Sequence, residues 1–305
     1  MLAMSCEPVR PSKEDSVSFD KQTTWEGAPF SVAVLMKAVP ASTEVAMDPV
    51  THTIVRDGGA AVLNPYDTAA LELALKLKAQ LEGEGVPVAI SVLSMGIPAT
   101  ADLLRDAVAR GATRALLLSD RAFAGSDTLA TSYALELGLR ELGDQDLVLC
   151  GKMAVDGDTA QIGSEVAAGR GWPCVTGALS VEMAPSSQMT RATLAEAGLV
   201  VSQVFDGEKK RVGVPLPCVV TVDKDAATLR MPSVTGVLEA QKIQVEVRGA
   251  AQLGADLAQC GLEGSPTQVV RCCVPEASGA CQFLAGSPAQ IAEQLGAIVD
   301  QSEGA

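Results

Sequence analysis

Residues 147–163, LVLCGKMAVDGDTAQIG, combine the residue types and order that can hold an anion. A short apolar run (Leu147, Val148, Leu149, Cys150) leads into a loop of small and polar residues. A helix then starts, continues through SEVAAGRG and is predicted to stop near Gly169. In a parallel α/β sheet this arrangement seats a phosphate, because the first helical N–H groups lack intrahelical partners and the helix dipole favours negative charge there. Gly157 is expected to let the backbone approach closely, Thr159 offers a hydroxyl and Gln161 an amide. The chemistry predicted is retention of a nucleotide phosphate, and the competing reading is a turn with a capping residue. Gly151-Lys152 is followed by Met153, so the magnesium-binding hydroxyl of a Walker A loop is missing, and the spacing is not G-x-G-x-x-G. Asp156 and Asp158 argue against a bare phosphate bed: at about 4 Å and an effective dielectric near ~20 the repulsion is on the order of 4 kcal/mol. Their side chains are therefore predicted to turn away, to cap backbone N–H groups or to accept from ribose or ribityl hydroxyls.

The elements that must position this loop alternate strand and helix. Residues 31–37 read as a buried strand. Residues 48–62 suggest a hairpin turning at Asp57-Gly58-Gly59, and Asn64-Pro65-Tyr66-Asp67 opens a helix that Gly83 ends. An apolar strand over 86–93, a helix from Pro98 to Gly111, a strand over 114–118 and a helix over 129–142 capped at Asp127-Thr128 follow. This rhythm predicts a doubly wound parallel sheet with ligands near the carboxyl ends of its strands. Beyond Pro173 it changes to short β-like runs (178–183, 199–205, 211–214), then an apolar strand at 218–222. Residues 223–237 read as irregular, QKIQVEVRG as extended, and a helix opens at Ser287-Pro288 with Ile291, Leu295, Ile298 and Val299 on one side. The long arm needs a surface: a partner subunit, or a small β-rich lobe packed on its own sheet.

With 305 residues, 48% of them hydrophobic, the chain can fill a large core. A net charge of −14 makes nucleic acid an unsuitable partner, and only 3% aromatic residues leave few stacking platforms. No run reaches about 18 apolar residues, so no membrane span is expected. Residues 1–30 lack an apolar signal-peptide core, which points to the cytoplasm. Among the eight cysteines, Cys150, Cys174 and Cys218 sit in apolar runs as small hydrophobes, while Cys260, Cys272, Cys273 and Cys281 show no C-x-x-C spacing, so no metal site is predicted. His52, the one histidine, is read as a surface strand residue rather than a catalytic group.

Against this background the chain resembles the beta (small) subunit of an electron-transfer flavoprotein. The matching pieces are VAVLMKAVP, LNPYDTAALELALKLK, LSMG, CGKMAVDGDTAQIG, LPCVVTVD and TLRMPSVTGVLEAQKIQVEV, in order from Val32 to about Val247. The resemblance implies an α/β fold whose doubly wound parallel sheet is of the adenine-nucleotide alpha-hydrolase-like type, with a β-hairpin excursion and a long C-terminal arm. It implies three parts: a mobile extension over 1–29, a nucleotide-binding α/β domain over 30–222, and over 223–305 a recognition loop and arm that pack on the alpha subunit. That larger subunit holds a redox FAD. Carried over from the family, the nucleotide site of this chain is Leu35; Asn64, Pro65, Tyr66 and Asp67; Met95; and Gly151, Lys152, Met153, Ala154, Val155, Asp156, Gly157, Asp158, Thr159, Ala160, Gln161 and Ile162. Lys37 and Arg121, beside strand ends, are expected near the flavin or its phosphates. Residues 227–236 match the loop that docks on acyl-CoA dehydrogenases and similar partners, with Leu229, Met231 and Pro232 as contacts.

The loop departs from the respiratory-type pattern D-D-D-x-N-Q-T-G, whose owners bind a structural AMP. Here Gly157 is added and Ala160 replaces an Asn, which makes room for a longer diphosphate. Residues 119–135, SDRAFAGSDTLATSYAL, also resemble the electron-bifurcating subgroup, in which a second FAD replaces AMP. That subgroup's mechanism implies that a hydride from NADH reduces this FAD. One electron then passes to ferredoxin or flavodoxin, the other through the alpha-subunit FAD to a dehydrogenase. The alternatives are a conventional carrier with structural AMP, or a stand-alone nucleotide-binding regulatory module. A hydrolase is disfavoured for want of histidines and a defined nucleophile.

Overall fold

The computed structural model describes residues 27–41, 60–185, 190–269 and 283–302. The predicted N-terminal extension up to residue 26, His52, the turn at 57–59 and Cys272, Cys273 and Cys281 lie outside the described residues. The chain forms two units, and residues 27–41, 60–185 and 190–268 belong to the first.

Among the described residues, nine strands of this unit form one sheet. In chain order they are β1 (Phe30–Leu35), then, after the short strands β2 (Ala38–Pro40) and β3 (Ala61–Leu63), β4 (Val88–Met95), β5 (Arg114–Leu118), β6 (Leu147–Gly151), β7 (Cys174–Met183), β8 (Leu199–Phe205), β9 (Glu208–Val214), β10 (Cys218–Val222) and β11 (Glu246–Arg248). Across the sheet the order is β11-β5-β4-β1-β6-β10-β7-β8-β9, parallel from β11 to β7 and antiparallel from β7 to β9. β2 and β3 pair antiparallel outside it, at the base of the predicted hairpin. The helices are α1 (Pro65–Gly83), α2 (Thr100–Ala109), α3 (Thr128–Leu142), α4 (Ile162–Arg170), α5 (Arg191–Ala197) and α6 (Val234–Ala240). The second unit contains α7 (Pro288–Ser302), opened where Ser287-Pro288 predicts.

The parallel strands are almost unbroken apolar runs because both of their faces are covered. Alternate residues serve opposite cores. Val32, Val34, Ile90, Val92, Leu147 and Leu149 pack with Leu71 and Leu75 of α1 and Leu104 of α2, whereas Ala33, Leu35, Leu93, Leu116, Val148 and Cys150 pack with Ala134 and Leu139 of α3 and Val166 of α4. From β1 the chain moves outward through β4 to β5, then crosses back to lay β6 on the other side of β1. The connections leaving β1 and β6 thus diverge, and a crevice opens at their carboxyl ends, where open α/β sheets take ligands.

Several expectations need correction. The short β-like runs after Pro173 are not a separate lobe: β7, β8 and β9 extend the main sheet. The stretch 223–237, read as irregular, ends in α6, whose start is fixed by Ser233 Oγ accepting from Gly236 N at 2.9 Å. A seven-residue helix with Gly236 in its first turn carries a weak propensity signal, so packing decides it. Of the predicted extended run QKIQVEVRG only Glu246–Arg248 is a strand, and it joins the sheet edge beside β5. Arg114 grips Glu246 through two hydrogen bonds of 2.7 and 3.0 Å, and Arg248 meets Glu141 at 2.7 Å. These long-range ion pairs hold a strand too short for local pattern to reveal. α5, opened by a capping box between Thr190 and Thr193, has no counterpart in the sequence reading.

Candidate nucleotide site

The crevice between β1 and β6 is built by the first turn of α1. Pro65 at its start has no N–H to satisfy, and Asn64, just before it, makes no side-chain cap bond. Asn64 instead turns to the loop after β6: its Nδ2 donates to Met153 O at 2.9 Å and its Oδ1 accepts from Val155 N at 3.3 Å. Asp67 accepts from Lys37 N through Oδ2 and from Gly151 N through Oδ1, each at 2.8 Å. Burial pushes its carboxyl up to about 7, against the opposing pull of these two amides, of Asn64 and of the Lys37 charge. Gly151 is required here, since a Cβ would lie 2.4 Å from Asp67 Oδ1 and 2.5 Å from Tyr66 Cβ.

Residues 152–161 then run as a largely exposed loop to α4. Asp156 does not stand alone: Lys37 Nζ meets its Oδ1 at 2.7 Å, which neutralises one of the two carboxylates. Lys152 lies 3.6 Å from Asp223, and its amide donates to Val222 O at 2.8 Å. No protein atom crowds Gly157. Its φ is not positive and nothing lies within 4 Å of a Cβ there. The left-handed positions are Asp158 (φ 54°) and Ala160 (φ 55°). Asp tolerates that region through its short polar side chain, whereas Ala pays roughly 1 kcal/mol or more. Gln161 precedes α4 without a side-chain cap bond, so the leading N–H groups of this nine-residue helix lack that partner. Gly163 allows α4 to press on the sheet, because a Cβ would come 2.3 Å from Thr221 Cγ2 and 2.8 Å from Cys150 Sγ.

An α4 N-terminus without a side-chain cap and two lysines, Lys37 paired with Asp156 and Lys152 with Asp223, are features that fit an anionic ligand. The fold brings Leu35, Lys37, Asn64–Asp67 and 151–162 together at β1 and β6. Met95 ends β4, the next strand, and Arg121 follows β5, one strand farther along the same carboxyl edge. Beside Arg121 lies a cleft of about 270 Å³ lined with Ala122, Ala124, Leu257 and residues 260–263. The cleft's outer wall is strapped down by two carboxylates, as Asp120 accepts from Ala250 N at 2.9 Å and Asp127 from Thr267 N at 2.9 Å.

The stretch carrying Leu229, Met231 and Pro232 lies elsewhere in the unit. Leu229 is partly buried against the α1–α2 core, and Met231 is 84% exposed. Its anchor is Glu72 of α1, a residue no local signal marks because its partner is 158 positions away. Glu72 accepts from Arg230 Nε and Nη2, each at 2.9 Å, and from Arg230 N at 3.1 Å. Burial raises the Glu72 carboxyl, but the hydrogen bonds and charge of Arg230 outweigh this and hold it below the ordinary glutamate range. The pair's stabilisation is therefore present above that range and lost as pH falls below it. Glu72→Ala is expected to destabilise the fold by about 1–3 kcal/mol, because it strips Arg230 of a charged partner, and to speed amide exchange over residues 229–232. Denaturant unfolding and hydrogen exchange check both.

Comparison with known proteins covers most of the chain. The electron transfer flavoprotein domain matches residues 51–253. The chain is 37% identical over 270 residues to the caffeyl-CoA reductase-Etf complex subunit CarD of Acetobacterium woodii, covering 88% of this chain and 97% of that protein. It is 38% identical over 252 residues to the electron transfer flavoprotein subunit beta of Megasphaera elsdenii, covering 81% and 88%. It is 41% identical over 252 residues to protein FixA of Rhizobium meliloti, covering 80% and 81%. A domain match over residues 51–253 and relatives 37–41% identical over 80% or more of the chain have one consistent assignment: the chain belongs to the electron transfer flavoprotein family, as a beta subunit.

Proposed function

We propose that this subunit works with an FAD-bearing alpha subunit and holds a second FAD of its own, in the arrangement used for flavin-based electron bifurcation. The observation that carries the reading is the run of candidate contacts along one carboxyl edge. Gly151, Leu35, Met95 and Arg121 end or follow β6, β1, β4 and β5, four neighbouring strands. At about 4.8 Å per strand this track is roughly 14 Å long, a span for an extended dinucleotide rather than a mononucleotide. Ala160 adds support, because Asn would suit its left-handed backbone better and Ala leaves the space beside it open.

In this reading residues 152–161 and the α4 N-terminus hold phosphates, Asn64, Pro65 and Tyr66 line the adenosine end with Asp67 behind them, and Arg121 lies at the ring end. A flavin supplies one- and two-electron transfer once bound. The chain's own residues orient it, and Arg121 places a positive charge where a reduced ring gains negative charge. NADH as donor and ferredoxin or flavodoxin as acceptor follow from the same reading. A dehydrogenase, of the acyl-CoA type or similar, docks at Leu229, Met231 and Pro232, where exposed Met231, Val234 and Leu238 provide an apolar contact.

Arg121→Ala tests the ring end. The flavin of this subunit is expected to lose affinity and shift to a lower reduction potential in the purified heterodimer, while AMP binds as before. Unchanged flavin content and potentials would remove Arg121 from the site and, with it, the long track.

A further inference from the structure

We propose that Asp67 is a positioning residue of the nucleotide site: its buried carboxylate clasps the amide of Lys37 to the amide of Gly151 and so fixes the gap between the two strand ends where the nucleotide sits. The inference rests on the nucleotide reading of that crevice. The family resemblance makes Asp67 a lining residue of the adenosine pocket, but the geometry gives it different work. Both oxygens are engaged by backbone N–H groups at 2.8 Å, and the residue is only 6% exposed. It faces the backbone, not the crevice.

The need for such a clasp follows from the sheet. The pairing of β1 with β6 ends at Leu35 and Cys150. Met36 N finds Leu93 O on the β4 side, whereas the amides of Lys37, two residues past β1, and of Gly151, the last residue of β6, both reach the Asp67 side chain where the strands part. Part-buried amides are best left with an acceptor, and a carboxyl group offers two oxygens, one for each of them. α1 brings it there from its first turn, three residues after Asn64, which fastens the loop at Met153 and Val155. One helical turn thus fixes β1, β6 and the loop as a rigid frame, and a site held by packed secondary structure keeps its geometry better than a free loop. Gly151 completes the fit, since any Cβ would strike the same Oδ1.

Asp67→Asn is the direct test. The side chain keeps its shape, but its amide group must point hydrogens at one of the two backbone donors, so one bond of the clasp is lost. In the heterodimer with the alpha subunit, stripped of nucleotide, the Kd for added AMP and for added FAD is expected to rise about tenfold or more. Hydrogen exchange is expected to accelerate at Lys37 and Gly151 while β5 stays protected. Should Asp67→Asn fail to fold, Gly151→Ala disturbs the clasp from the other side and is expected to give the same paired signature. Unchanged affinity in the variant, with or without faster exchange at the two amides, would overturn the proposal. If the unsubstituted heterodimer takes up neither AMP nor FAD, the nucleotide reading itself fails and the clasp is a strand-end tie only.

Discussion

Gly151→Val is expected to weaken nucleotide binding by about 10- to 100-fold and to destabilise the fold by about 1–3 kcal/mol, the usual range for forcing extra carbon into a filled space. The branched side chain enters a space already occupied by Asp67 Oδ1 at 2.4 Å, Tyr66 Cβ at 2.5 Å and the Asp67 amide nitrogen at 3.0 Å. Two of these atoms belong to the backbone or are rigidly attached to it, so relief requires β6 to move away from α1. That movement spoils the crevice rather than one contact in it. Titration of AMP and FAD into the stripped heterodimer, beside denaturant unfolding, measures both effects. Gly213→Ala on β9, where a Cβ meets nothing within 4 Å, is the control and should change neither. Full affinity in Gly151→Val would place the nucleotide away from the β1–β6 crevice.

The second large effect is a pH dependence. Asp67 ionises near 3.8 when free and at about 7 in the fold, with burial as the dominant cause. Folding therefore takes up a proton at this residue across that window. Its contribution to stability is full below the ordinary carboxylate range and falls as pH rises toward 7. Between about pH 5 and about pH 8 the loss amounts to roughly 2–3 kcal/mol at ~1.36 kcal/mol per unit. The groups that face it are Lys37, two residues past β1, and the buried thiol of Cys150 from β6, which desolvation pushes well above the ordinary thiol range. Carboxylates held low elsewhere, such as Glu72, Asp127 and Glu246, work in the opposite sense, so the difference between the unsubstituted protein and Asp67→Asn isolates the effect. The stability of the unsubstituted protein relative to the variant is expected to fall across this range. A difference that stays flat or rises would show that Asp67 is ionised throughout.

The parallel core of this fold was legible because its signals are local. Apolar runs at 114–118 and 218–222 coincide with β5 and β10, and Asp127 caps α3 as its type predicts, accepting from Ala130 N at 3.1 Å. What escaped depends on distant partners. β11 is held by Arg114 and Glu141, and the stretch around Met231 by Glu72, none of which is near in sequence. The candidate site was readable as a set of segments, and the sheet order explains why 35–37, 64–67 and 151–162 converge. Roles within the set were not readable. Asp67 and Asn64 look like helix-opening residues, yet their side chains bind the neighbouring strand ends and loop. The left-handed residues of the loop are Asp158 and Ala160, which no local signal marks. Composition marks where a loop can turn, but the dihedral that each residue takes is set by the anchors at its two ends.

The measurement that bears most directly on the central claim is the nucleotide content of the heterodimer. The chain is co-purified with its alpha subunit, the complex is extracted with heat, and FAD and AMP are quantified per heterodimer. The account predicts two FAD and no AMP, one FAD belonging to the crevice at β1 and β6. One FAD and one AMP would contradict it, making the loop after β6 a structural clamp and the protein a conventional carrier.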